Sequence, residues 1–132
     1  MSRKKLKKRI KNVVQEIDSI VDEMIHVSHM VDGYFGTVYR KCGKPNCWCS
    51  NKEKKGHPFM RLVFSKQNKL KTKGIPQEDK EWVKKMTENY RNYKQNFQKL
   101  RQYEKELNEL LKKFEFEVKT KTRDNRDYLK LM

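Results

Sequence analysis

GYFGTVYRKCGKPNCWCSNKEKKGHPFMRLVFSKQNKLKTKGIP, residues 33–76, holds all 5 glycines, all 3 prolines and all 3 cysteines of the chain. The sequence on either side contains no helix breaker, so this stretch divides it into three parts. Tyr34 to Lys41 and Phe59 to Ser65 mix aromatic and β-branched residues with polar ones, and Gln67-Asn68 separates the second run from Lys69 to Lys73. That pattern predicts a small three-stranded sheet.

The flanks read as helices. From Leu6 the apolar residues fall at Leu6, Ile10, Val13, Ile17, Ile20, Met24, Val27 and Val31, an unbroken alternation of four and three. This is a heptad seam, with Val14 and Val21 widening it and Asp32-Gly33 as the expected stop. After Ile75-Pro76, acids at Glu78, Asp79 and Glu81 suit a first helical turn. A second seam follows through Met86, Tyr90, Tyr93, Phe97, Leu100, Glu104, Leu107, Leu111, Phe114 and Val118, broken only by Glu104. The expected organisation is a basic arm and coiled-coil helix (1–32), a metal-binding β module (33–76), a long coiled-coil helix (77–119) and a flexible tail (120–132). The fold class is mainly α with a small β module: an antiparallel two-helix coiled-coil hairpin capped by a zinc knuckle and a short three-stranded sheet.

Charge supports that polarity. Residues 1–11 carry seven bases and no acid, 12–33 five acids and no base, 82–102 a net +5 and 103–118 a net −2. Folding back sets acidic 12–33 against basic 82–102 and the basic start against the acidic end. An intermolecular pairing of the same polarity satisfies this equally. The second helix outruns the first, which leaves Phe114, Phe116 and Val118, or the outer face bearing Tyr90 and Tyr93, as candidates for dimerisation or for docking another protein.

The whole chain of 132 residues carries 33 Lys and Arg against 17 Asp and Glu, a net charge of +16, and is 35% hydrophobic. Globular domains are usually roughly 45–50% apolar, so a thick core is excluded. Apolar runs of two or three residues are far short of the roughly 20 that cross a bilayer, and MSRKKLKKRIK lacks the apolar stretch of a secretory signal. A cytoplasmic protein with no membrane and no small-molecule substrate is expected. An odd number of cysteines within eight residues argues against a disulfide framework.

Cys42-x4-Cys47-x-Cys49-x7-His57 is the sharpest motif. Three thiols and an imidazole are the inventory of a closed structural Zn²⁺ site, with Gly43 and Pro45 supplying the tight turn between ligands. Reduced, unligated cysteines and an iron site are the alternatives. His26 and His29, three apart on the polar side of the first helix, read as solvent-facing, and either replaces His57 only if the module folds back on the helix end.

Tyr39-Arg40-Lys41-Cys42-Gly43-Lys44-Pro45-Asn46-Cys47-Trp48-Cys49, followed by Gly56-His57-Pro58-Phe59, Ile75-Pro76 and a helix beginning near Trp82, resembles a family of small uncharacterised bacterial and archaeal proteins. That family reads G-x-x-x-x-R-Y-x-x-C-G-K-P-x-C-x-C and then G-H-G-P-Y. The resemblance covers roughly residues 33–100 and matches the Cys and His positions one for one. His57-Pro58 stands where the pattern has His-Gly-Pro, and the insert from Asn51 to Lys55 is richer in lysine. The resemblance implies zinc binding and an accessory role to a mobile genetic element, and it implies no mechanism.

Residues 34–75 carry eleven bases and one acid, interleaved with aromatics. Arg40, Lys41, Lys44, Lys52, Lys54, Lys55, Arg61, Lys66, Lys69, Lys71 and Lys73 are candidate phosphate contacts, and Trp48, held between two ligands, is a candidate for stacking on a base. Tyr39, Phe59 and Phe64 are expected to form the miniature core of the sheet. Arg3, Lys4, Lys5, Lys7 and Lys8 extend the candidate surface, as an arm or as the solvated face of the first helical turns. Lys outnumbers Arg 25 to 8, which predicts affinity without sharp sequence readout. The expected function is therefore a zinc-containing nucleic-acid-binding protein and not an enzyme, with DNA slightly favoured over RNA by the family resemblance alone. The alternative is a coiled-coil scaffold or accessory subunit that binds an acidic protein partner, as a homodimer or within a larger assembly.

Overall fold

The computed structural model describes residues 1–132. The chain is mostly helical, with helix α1 (Arg3–Ile25), strands β1 (Tyr34–Arg40), β2 (His57–Lys66) and β3 (Lys69–Gly74), and helix α2 (Lys80–Asp124). Its residues form two compact units, one of 1–27 with 93–132 and one of 28–92. No helix is long and apolar enough to cross a membrane.

In the first unit, α1 begins at Arg3, and the Ser2 hydroxyl accepts from the Lys5 amide at 3.3 Å. That cap satisfies one of the free amides of the first turn. The basic start is thus helix and not an arm. Every third or fourth residue of the expected α1 seam is buried or half-buried from Leu6 to Met24, whereas Val14 and Val21 are exposed. The helix ends earlier than Asp32-Gly33 would have it. It ends at Ile25, with His26 as the C-cap residue and its ring nitrogen Nδ1 donating to the Asp22 carbonyl at 2.6 Å. His26 is a cap, not a free imidazole.

The buried cluster of this unit is Leu6 and Val13 of α1 with Leu110 of α2, flanked by Ile10, Ile17, Tyr103, Leu107 and Phe114. Low-numbered residues of α1 meet high-numbered residues of α2: Arg3 Nε lies 2.7 Å from Glu117 Oε2, and Arg9 Nη2 lies 3.3 Å from Glu106 Oε1. The basic start therefore does meet the acidic end. Arg3, a candidate phosphate contact, makes this ion pair with 42% of its side chain still exposed. Phe114 packs on the cluster and so is not left over beyond α1.

The α2 seam differs in phase from the sequence pattern. Asn96, Tyr103 and Leu110 turn inward where Phe97, Glu104 and Leu111 were expected. The apparent break at Glu104 disappears because Tyr103 occupies that position. A polar Asn96 in the seam hid the correct phase from a reading based on hydrophobicity. The expected flexible tail is also partly helical: α2 runs to Asp124, with Lys119 and Glu115 paired at 2.9 Å and the Thr122 hydroxyl donating to the Val118 carbonyl at 2.8 Å. Lysine-rich sequence without Gly or Pro gives the helix no reason to stop at residue 120.

In the second unit the sheet has order β1-β2-β3, antiparallel throughout. Gln67 and Asn68 both have positive φ, the signature of a two-residue hairpin loop. Ahead of the sheet, the Val31 amide donates to the Met86 carbonyl at 3.1 Å and the Asn89 side-chain amide to the His29 carbonyl at 3.1 Å. These bonds tie segment 28–33 to the first turns of α2.

Two adjacent leucines test the seam phase. Leu110 is 4% exposed and Leu111 46%, so Leu110→Ala should lose about 2–5 kcal/mol of stability and Leu111→Ala less than about 0.5 kcal/mol in urea denaturation. Equal losses would return the seam to the phase read from sequence.

Candidate metal centre and basic module

Cys42, Cys47, Cys49 and His57 offer one ligand atom each, and all four atoms lie within 4.8 Å of one another. Cys42 Sγ is 3.4 Å from Cys49 Sγ, and Cys47 Sγ is 3.2 Å from His57 Nε2. The four residues can hold a metal ion. All four sequence-predicted ligands are therefore brought together, while His29, with Nδ1 3.0 Å from the Ser28 hydroxyl, is not among them.

Strand register builds this site. Arg40, the last residue of β1, stands opposite His57, the first of β2. The chain leaving β1 thus delivers Cys42 to the side of the imidazole. Gly43 turns the chain with a φ of 83°, and the excursion returns through a short 3-10 turn, Trp48–Ser50, that buries Cys49. The Ser50 hydroxyl donates to the Pro45 carbonyl at 3.0 Å and to the Cys47 carbonyl at 2.7 Å. The Lys41 ammonium donates to the Asn51 carbonyl at 3.2 Å. Gly56 closes the loop with a φ of 111°, and a Cβ there would lie 2.5 Å from the Arg40 carbonyl group. Ser50 and Asn51 support the loop in this sense and escaped the sequence reading, whereas Gly56 stood in the motif without its structural reason.

The donors are electronically prepared. Hydrogen bonding from the Lys44 backbone, then from the Cys49 thiol, lowers the Cys42 thiol from its ordinary value to about 6. The largest single influence on Cys49, the Cys42 amide at 3.4 Å, favours its thiolate, but burial and the neighbouring sulfurs outweigh it and push that thiol up. The exposed Cys42 sulfur therefore favours the thiolate form that a cation would need, while the buried Cys49 thiol would have to lose its proton to ligate one.

Around this centre the basic side chains divide by element. Lys66, Lys69, Lys71 and Lys73 share one sheet face with Phe64, because Lys71 stands opposite Phe64 and Lys66 opposite Lys69. Arg40 and Arg61 lie on the other face, and Arg61 Nη1 donates to the Thr72 hydroxyl at 3.4 Å. Lys41, Lys44, Lys52, Lys54 and Lys55 sit exposed in the ligand loop. Lys4, Lys5, Lys7 and Lys8 are exposed on α1 in the helical unit. Trp48 is exposed, as its position between ligands suggested. The expected miniature core is not there: Tyr39 and Phe59, on opposite faces of the sheet, are both exposed and only Phe64 is half-buried, because a single-layer sheet this small encloses no interior. Tyr39 instead carries the Lys55 ammonium 5.7 Å from its ring centroid.

Residues 3–85 match the model of the family described as a domain of unknown function, DUF6788, and the chain belongs to that family. No curated protein and no solved structure matches it.

The two loop glycines predict different outcomes. Gly56→Ala meets backbone and should abolish tight metal binding, whereas Gly43→Ala meets nothing within 4 Å and should cost only the backbone strain of about 1–2 kcal/mol. Metal stoichiometry by mass spectrometry and thermal unfolding read both. Metal affinity should also fall as pH drops through about 6, where the Cys42 thiol regains its proton; a titration showing pH-independent affinity between 7 and 5 contradicts the ligand set.

Proposed function

We propose that this chain is a zinc-containing nucleic-acid-binding protein, non-enzymatic, serving as an accessory component of a nucleoprotein complex such as that of a mobile element. The observation that carries the reading is the gathering of three sulfurs and one imidazole nitrogen inside a module with eleven bases and one acid. A tetrahedral Zn²⁺ with three Cys and one His ligand has ligand–ligand edges of about 3.5–3.8 Å, close to the 3.4 and 3.2 Å separations seen. Four protein ligands leave no position for an activated water, so the ion's contribution is structural. It supplies folding free energy to a module too thin to hold itself by burial.

The basic surface supports the partner. Its single acid, Glu53, makes no ion pair there, so the cationic side chains are available to phosphates. The lysine excess favours backbone attraction over base-edge readout, and the motif resemblance alone prefers DNA slightly to RNA. The α1–α2 contacts support an antiparallel two-helix coiled coil as the carrier of the module. A second reading, a scaffold for an acidic protein partner, is favoured by one observation: Phe116 and Leu111 lie exposed on α2.

Elemental analysis should find one zinc per chain, and binding to DNA or RNA should weaken steeply with salt. Replacing Lys52, Lys54 and Lys55 together by Ala should lower the slope of log affinity against log salt by about 2–3, at about 0.7–0.9 per lost phosphate contact, with zinc content unchanged. Affinity indifferent to salt would rule out the phosphate-contact reading and favour the scaffold.

A further inference from the structure

We propose that the sheet face bearing Tyr34, Phe59 and Arg61, with Trp48 beside it, is a stacking platform for the unpaired bases of single-stranded nucleic acid. This rests on the nucleic-acid-binding reading above and names the form of nucleic acid the module takes.

The argument begins with register. Side chains of directly paired residues in an antiparallel sheet project to the same side, and successive residues alternate. Gly36 stands opposite Arg61, Val38 opposite Phe59 and Arg40 opposite His57, so one face presents Tyr34, Phe59 and both arginines of the module. Its aromatics are open: Tyr34 is 60% exposed, Phe59 48% and Trp48 55%. Three large exposed aromatics in so small a module are far from the scattered single exposure of an ordinary surface.

Two of the three rings, Tyr34 and Trp48, are braced, which keeps the cost of ordering them on binding low. The Tyr34 ring lies over Gly36, where a Cβ would come within 2.5 Å of it; only glycine leaves room for the ring there. Trp48 meets the His57 ring edge-to-face at a centroid distance of 4.9 Å, so the indole is held by a metal ligand with much of its surface still free. The Tyr39 ring, on the opposite face, is already taken by Lys55.

The occupant follows from charge and shape. A surface set in a segment of eleven bases and one acid selects a polyanion. Exposed aromatic rings can stack only on bases that have left a duplex stack, since paired bases show their edges and not their faces. Arg61, Arg40 and the loop lysines then follow the phosphates, and Arg61 is also placed to stack on a base itself.

The test uses the full-length, zinc-loaded protein with Trp82→Phe, leaving Trp48 as the reporter. Oligo(dT), oligo(U) and a duplex of equal phosphate count are titrated at fixed salt. Both single strands, or the one of the preferred sugar, should quench Trp48 and bind more tightly than the duplex. Trp48→Ala (followed by a label on the strand) and Phe59→Ala should each weaken single-strand binding about 5- to 150-fold without changing the salt slope, and Trp48→Phe should restore most of the loss. Zinc content is measured for every variant; should Trp48→Ala release metal, Phe59→Ala, two residues beyond the ligand, decides. If the duplex binds as well as the single strands and Phe59→Ala stays within about twofold, the platform is refuted while nucleic-acid binding stands. If no probe binds, both readings fall.

Discussion

The pairing of Arg40 with His57 is the constraint on which the β module depends. Because the strand register brings the end of β1 level with the start of β2, the excursion between them must leave and return at nearly the same point. Gly56 can make that return only because it lacks a side chain to strike the Arg40 backbone. Cys42 and His57 then arrive as neighbours, and Cys47 and Cys49 are carried to them by a loop that Ser50 ties to the Pro45 and Cys47 carbonyls. Ligand convergence is thus a product of sheet geometry before any ion is considered.

The helical unit obeys a different constraint. With so few apolar residues, α1 and α2 each bury a single narrow stripe, and the ends are matched by charge through Arg3–Glu117 and Arg9–Glu106. Exposed ion pairs of this kind add little stability, on the order of 0–1 kcal/mol each. Their value lies in direction, since bases clustered at one end and acids at the other penalise the opposite orientation.

Sequence periodicity was a good guide where one signal dominated. The three strands, the Gln67-Asn68 loop, the α1 stripe and all four candidate ligands were legible because turn residues, uniform heptad spacing and a compact Cys-His motif point the same way. Legibility failed where two signals competed. On α2, Phe97 and Leu111 outrank Asn96 in hydrophobicity, yet Asn96 is the buried one; only the facing helix chooses between neighbouring stripes. The end of α1 was misplaced because Val27 and Val31 continue the period after His26 has already capped the helix. Tyr39 and Phe59 look like core residues in a list, but a three-stranded sheet has more apolar candidates than interior. The family to which residues 3–85 belong is described only as a domain of unknown function, which ties the chain neither to a zinc motif nor to mobile elements.

The placement of the sheet between the helices also shapes how the chain reaches its fold. Arg3 and Glu117 are 114 positions apart, so the helix pair closes a very long loop. Each strand, by contrast, pairs with its neighbour in sequence, a low contact-order arrangement that needs no distant encounter. The module can order first and remove its own residues from the flexible connection. Loop-closure entropy grows only logarithmically, about 0.6 kcal/mol per doubling of length, so carrying a whole β module between two helices imposes little thermodynamic penalty on their association.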